Sequence, residues 1–128
     1  MKVEDIMTTK IEAVEADATV QEVMKLVAGK MIRSVLVKPK TKKDVFGVIA
    51  VRDLVHKVLG MGLNPKKIKA DEIATKPLIC VKRDMDTKYL MNMMQSYNVA
   101  RVFVTDGKEI MGVVALMDFI KAAVRAKG

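Results

Sequence analysis

Two aspartates close the same seven-residue phrase, G-V-I-A-V-R-D from Gly47 to Asp53 and G-V-V-A-L-M-D from Gly112 to Asp118. A carboxylate that follows an apolar strand and sits in the first turn of a helix can cap that helix. It can also accept paired hydrogen bonds from two vicinal hydroxyls, while the helix N-terminus favours a nearby phosphate. Arg33, Arg52 and Arg101 offer bidentate contacts to phosphate oxygens. The raw material for catalysis is poor. Cys80 is the only cysteine and His56 the only histidine, which excludes a disulfide framework and a histidine-based metal site. An internal Cys-His nucleophile would require those two residues to meet in space. Cys80 lies between Ile79 and Val81 and reads as a buried, inert thiol. With no P-loop, carboxylate cluster or nucleophile-base pair, the chain does not read as an enzyme.

The elements that must position these residues belong to a globular chain of 128 residues, 51% hydrophobic and 30% charged. No apolar run approaches the roughly 18 residues of a membrane span. The opening Met1-Lys2-Val3-Glu4-Asp5 carries acids where a secretory signal would be apolar, so a cytoplasmic protein with no membrane partner is expected. The formal charge of +8 invites an anionic partner. Nucleic acid is one such alternative, but aromatics are only 4%, no helix-turn-helix pattern appears and the lysines do not line one helical face. The densest basic run, Lys38 to Lys43, reads as a solvated hairpin loop ending at Asp44, and the 11 methionines read as flexible core filler.

The whole chain is a repeat. Asp5-Ile6-Met7-Thr8 returns as Glu72-Ile73-Ala74-Thr75, an offset of 67 residues that also pairs Val14 with Val81, Met24 with Met91 and Val37 with Val104. From Gly47 and Gly112 onward the offset is 65, and the two lost residues fall in the loop that holds the lysines, where a deletion is tolerated. Each copy reads as β-α-β-β-α. The first begins with a short turn near Val3 and a strand near Glu12 to Val14. Thr19 and Glu22 form a capping box for a helix that Gly29 ends. Strands at Ser34 to Lys38 and Val45 to Ala50 precede a helix from about Val51 to Leu59, with Leu54, Val55, Val58 and Leu59 on one side. The second copy has a strand at Leu78 to Val81, a helix from Thr87 to Tyr97 capped by Asp86, a hairpin turned by Asp106-Gly107 and a last helix from about Leu116 to Ala126. Gly47 and Gly112 read as sites of close backbone approach or a bulge. The boundaries are 1–60 and 70–128, joined by a linker at 61–69. Neither copy alone has much core, so the two sheets are expected to pack about a pseudo-twofold axis.

This α+β arrangement resembles the CBS domain pair, or Bateman module. The resemblance rests on D-I-M-T at Asp5 to Thr8, S-V-L-V at Ser34 to Val37 and G-V-I-A-V-R-D, each with its second copy. It covers Val3 to about Val124 and leaves no room for a catalytic domain, so the chain reads as a free-standing module. The resemblance implies clefts between repeats that bind AMP, ADP, ATP, S-adenosylmethionine or a related adenosine ligand, and a homodimer that regulates some partner protein. It implies that the motif aspartate holds ribose and that residues flanking the strands hold adenine. For one site these are Asp53 and Ala50 with Arg52, Ile32, Arg33, Ile11 and Glu12. For the other they are Asp118 and Ala115 with Val99, Ala100, Arg101, Pro77, Leu78 and Ile79. Where the family usually has serine or threonine this chain has Ala50 and Ala115, so a ligand hydroxyl is missing from both copies. That makes a ligand-free structural dimer the main alternative. Met117 replaces Arg52, so the Asp53 side is expected to suit phosphate and the Asp118 side to be more apolar.

Overall fold

The computed structural model describes residues 1–127 and resolves into two compact units, each built around one three-stranded sheet. The first unit is contiguous, Ile11–Leu78. Its sheet has the order β1-β2-β3, with β1 (Ala13–Val14) parallel to β2 (Ser34–Val37) and β2 antiparallel to β3 (Gly47–Ala50). Helix α1 (Val20–Lys30) connects β1 to β2. Its capping box forms as read: the Glu22 N–H donates to the Thr19 hydroxyl at 3.2 Å and the Thr19 N–H to the Glu22 carboxylate at 3.3 Å. The helix outlasts Gly29 by one residue, and Met31 takes the left-handed cap conformation with φ 55°. Gly29 therefore does not end it; the chain reverses at Met31, an exposed residue in a conformation that L side chains rarely adopt.

The helix after β3 departs from its pattern. Helix α2 has only Val51–Asp53 in α geometry, and Leu54–Leu59 continue as π-helix, closed by bonds such as Gly60 N–H to the Val55 carbonyl at 2.6 Å. Leu54 and Val58 are buried, whereas Val55 and Leu59, expected beside them, are exposed. Pro65–Lys67 form a 3-10 turn, and α3 (Ala70–Ile73) returns to the same unit, where Ala70 is fully buried among Val20, Val23, Val35, Val37 and Ile49.

The second unit joins Met1–Lys10 to Ile79–Gly128. Its sheet repeats the first in the order β4-β5-β6, with β4 (Cys80–Lys82) parallel to β5 (Arg101–Thr105) and β5 antiparallel to β6 (Ile110–Ala115). Helix α4 (Thr87–Ser96) starts at Asp86, whose carboxylate accepts from the Lys88 and Tyr89 N–H groups, and α5 (Leu116–Lys127) follows β6. The hairpin turns through Gly107 at φ 102°. Cys80 lies on edge strand β4 and is exposed, not buried as read, because the outer face of a short edge strand lacks a packing neighbour. Its partial desolvation still raises the thiol pKa, so exposure does not make it a ready thiolate.

The two units thus exchange their leading segments. The 3-10 turn Val3–Asp5 comes from the first copy, yet Val3 and Ile6 are buried with Val81, Leu90, Met94 and Val102 of the second. Its counterpart α3 comes from the second copy and is buried in the core of the first. The exchange extends to the sheets. Thr8 pairs with Val113 on the outer edge of β6 through two bonds of 2.9 Å, and Thr75 pairs with Val48 on the outer edge of β3 through bonds of 2.9 and 3.0 Å. Each borrowed residue covers a strand edge that would otherwise offer open hydrogen-bonding groups.

Candidate functional site

The duplicated glycine has a steric cause. A Cβ on Gly47 would lie 2.9 Å from the Ala74 Cβ and 3.2 Å from the Thr75 carbonyl oxygen, and one on Gly112 would lie 2.7 Å from the Thr8 carbonyl oxygen. Both glycines mark where a borrowed segment crosses the sheet, the close approach expected from the sequence.

From there each strand runs into its helix. Ala50 is the N-cap of α2, and its N–H donates to the Asp53 Oδ2 at 2.8 Å; the Ala115 N–H donates to the Asp118 Oδ2 at the same 2.8 Å. Each aspartate therefore forms one half of a capping box. The other half is missing, because alanine has no side-chain acceptor for the helix N–H. The two aspartates differ in what engages their second oxygen. The Lys57 ammonium lies 3.2 Å from the Asp53 Oδ1 and also donates to the Ile73 carbonyl at 3.3 Å. The Asp118 Oδ1 instead accepts from the Thr8 hydroxyl at 3.2 Å. An exposed i,i+4 ion pair of the Lys57 kind contributes only about 0.3–0.5 kcal/mol, so it can be broken at small cost. A carboxylate offers about four acceptor positions, and each aspartate spends two of them on these contacts.

In the contiguous unit the sheet gathers the predicted residues at one end. Ser34 pairs with Ala50, and the Val51 N–H donates to the Arg33 carbonyl at 3.1 Å, so Ile32 and Arg33 border the start of α2 and Asp53. On the other side of β2, the Leu36 N–H donates to the Glu12 carbonyl at 2.8 Å, which brings Ile11 and Glu12 toward the same end. The Glu12 carboxylate is occupied by Lys30 at 2.9 Å. Ile11, Glu12, Ile32 and Ala50 are half-buried, while Arg33 and Arg52 are exposed.

The other unit repeats the arrangement. Arg101 pairs with Ala115, the Phe103 N–H donates to the Ile79 carbonyl at 2.8 Å, and Val99 and Ala100 lead into β5. Met117, at the place of Arg52, is exposed. Pro77 and Leu78 belong to the contiguous unit, so they do not share a compact body with Asp118.

Two features near these residues were not read from the sequence. One is Lys57, although an Asp and a Lys four residues apart on a helix are a visible signal. The other is a cluster that fastens the lysine loop. The Lys76 ammonium lies 2.7 Å from Asp44 and 2.6 Å from Asp71, and the Lys40 N–H donates to Asp44 at 2.9 Å. The Lys76 bond, followed by the backbone bonds, lowers the Asp44 pKa to about 2, so Asp44 stays ionised in all but strong acid. The loop walls a concavity of about 540 Å³ with Glu15 and Phe46, and none of the predicted ligand residues lines it. Among the described residues no group of three or more His, Cys, Asp or Glu side chains is placed to hold a metal ion, and no helix is long and apolar enough to cross a membrane.

Two α+β repeats, each ending in a strand, a glycine-led motif and an aspartate-capped helix, define a class of paired small-molecule-binding domains. The family model described as CBS domain matches residues 3–60 and 70–125, and the chain belongs to the CBS domain family. Such pairs are in general regulatory ligand-binding modules. Among relatives, the uncharacterized protein MK0525 of Methanopyrus kandleri is 32% identical over 81 residues, which span 62% of this chain and 41% of that protein. The uncharacterized protein MJ0450 of Methanocaldococcus jannaschii is 28% identical over 111 residues, 86% of this chain and 60% of its own. The chain thus spans roughly half the length of these relatives. Among solved structures, the hexameric CBS-CP12 protein from bloom-forming cyanobacteria superposes with a TM-score of 0.85 at 28% identity, over 94% of this chain and 69% of that one.

Proposed function

We propose that this protein is a regulatory module that binds an adenosine-containing ligand, such as AMP, ADP, ATP or S-adenosylmethionine, and adjusts the activity of a partner protein in the cytoplasm without performing catalysis. The observation that carries the reading is the paired aspartate. Asp53 and Asp118 each spend part of their acceptor capacity on a helix cap and keep about two positions, enough for the two hydroxyls of a ribose. The cap also fixes each carboxylate before the ligand arrives. A preorganised acceptor loses less freedom on binding. The alanines at 50 and 115 leave the aspartate as the polar anchor of each motif.

A thermal-shift panel of AMP, ADP, ATP, S-adenosylmethionine, methylthioadenosine and NAD tests this. Asp53→Asn and Asp118→Asn are the informative variants, since the amide oxygen can still accept from the Ala50 or Ala115 N–H while the charge is lost. At a hundredfold excess over Kd a ligand adds about 2.7 kcal/mol, which raises Tm by several degrees. At least one adenosine compound is expected to do so, with the gain lost in one or both variants. A flat panel would sink the reading.

The proposal includes a homodimer, supported by two exposed apolar stripes at helical spacing. Val51, Val55 and Leu59 are 40%, 43% and 56% exposed, and Leu116, Ile120 and Val124 are 54%, 58% and 67% exposed. Apolar rows left open in this way are commonly association surfaces. Sedimentation equilibrium is expected to give twice the chain mass and to give the monomer for Ile120→Lys; a monomer in the wild type at high concentration rules the dimer out.

A further inference from the structure

The two aspartates carry different companions, and that difference bears on what each unit can accept. Lys57 places an ammonium 3.2 Å from the Asp53 Oδ1. The residue at the matching position after Asp118 is Ala122, which is 8% exposed and carries no charge. Building on the adenosine reading above, we infer that Lys57 makes the Asp53 site selective for a phosphorylated adenosine ligand over an uncharged nucleoside.

The argument is one of competition and compensation. Sugar hydroxyls approaching Asp53 must share its Oδ1 with an ammonium, a stronger donor than a hydroxyl. An uncharged nucleoside therefore meets a partly neutralised carboxylate and offers nothing in exchange. A ligand that also carries phosphate gives Lys57 a second anion. The ammonium has three donors; it pairs with the Asp53 carboxylate and donates one hydrogen bond to the Ile73 carbonyl, which leaves donor capacity for a phosphate. The lysine side chain is 47% exposed and the pair is open to solvent on that side, so the ammonium can turn toward the ligand. Arg52, next to Asp53 in sequence and exposed, adds positive charge near the same helix start.

Isothermal titration of AMP and of adenosine tests the inference in an Asp118→Asn background, which leaves Asp53 as the only intact motif aspartate. The ratio of AMP to adenosine affinity is expected to fall about tenfold in Lys57→Gln, the loss of one charge-assisted contact, and to be retained in Lys57→Arg. A structural role for Lys57 would weaken both ligands alike, so an unchanged ratio in Lys57→Gln overturns the selectivity and leaves the adenosine reading standing. Failure of both ligands to bind this background and the wild type overturns both.

Discussion

Replacing Val3 with aspartate is expected to strip amide-exchange protection from β4, β5 and α4, some eighty residues away in sequence, while α1, β2 and β3 of its own copy keep theirs. Val3 is fully buried among Ile6, Val81, Leu90, Met94, Val102 and Val114. Its N–H donates to the Met85 carbonyl at 2.8 Å. A carboxylate placed there would meet only apolar side chains. An unpaired buried charge of this kind costs about 3 kcal/mol or more, a large part of the stability of a small domain. Val3→Ala provides a milder version at roughly 1–3 kcal/mol in which local opening is still resolved from global unfolding. Ala70→Asp is the mirror experiment and should expose β1 to β3. Protection lost from β2 and β3 in the Val3 variants would contradict the exchange of leading segments.

Gly112→Ala is expected to destabilise by about 2–3 kcal/mol, in the upper range for overpacking a tight contact. The new methyl would sit 2.7 Å from the Thr8 carbonyl oxygen and 2.9 Å from the Met7 sulfur. The sulfur can swing away, but the carbonyl belongs to the pair of bonds that fastens Thr8 to Val113. Moving it loosens both bonds and draws the Thr8 hydroxyl from Asp118. Gly47→Ala should cost about 1 kcal/mol less, because its backbone neighbour is 3.2 Å away and the Lys76 side chain can yield, which leaves the rigid Ala74 Cβ at 2.9 Å as the one contact under 3.0 Å. Urea denaturation of the two variants measures the difference; equal losses, or none for Gly112→Ala, would show that the crossing segment yields freely.

Much of the fold was legible because repetition and local chemistry agreed. The offset between Ile6 and Ile73 aligned two β-α-β-β-α copies, and the capping box at Thr19 and the cap at Asp86 placed helix starts within a residue. The glycines at 47 and 112 announced close approach. The exchange of leading segments was not legible, for a definite reason: with two equivalent copies, Val3 fits the core of either, and periodicity is identical whether it stays or crosses. The π-helical turns from Leu54 to Leu59 escaped because the i, i+3, i+4 pattern cannot distinguish 3.6 residues per turn from a wider winding. Asp53 and Asp118 were legible as candidates, and the capping role weighed beside ligand binding is present in both. Their companions Lys57 and Thr8 differ in kind: Lys57 is local and could have been read, whereas the Thr8 hydroxyl reaches Asp118 from 110 residues away.

The exchanged segments also impose an order on synthesis. Everything the contiguous unit needs has been made once Leu78 leaves the ribosome, so its sheet, α1 and α3 can close while the rest is still being translated. The other unit has to wait. Val3 and Ile6 are made before the strands and helices that bury them, with Ala122 the last of these residues to join that core. During that interval the segment around Val3 carries an apolar face without its partner, and the unit that includes Ile79 onward cannot finish folding until that segment is recovered.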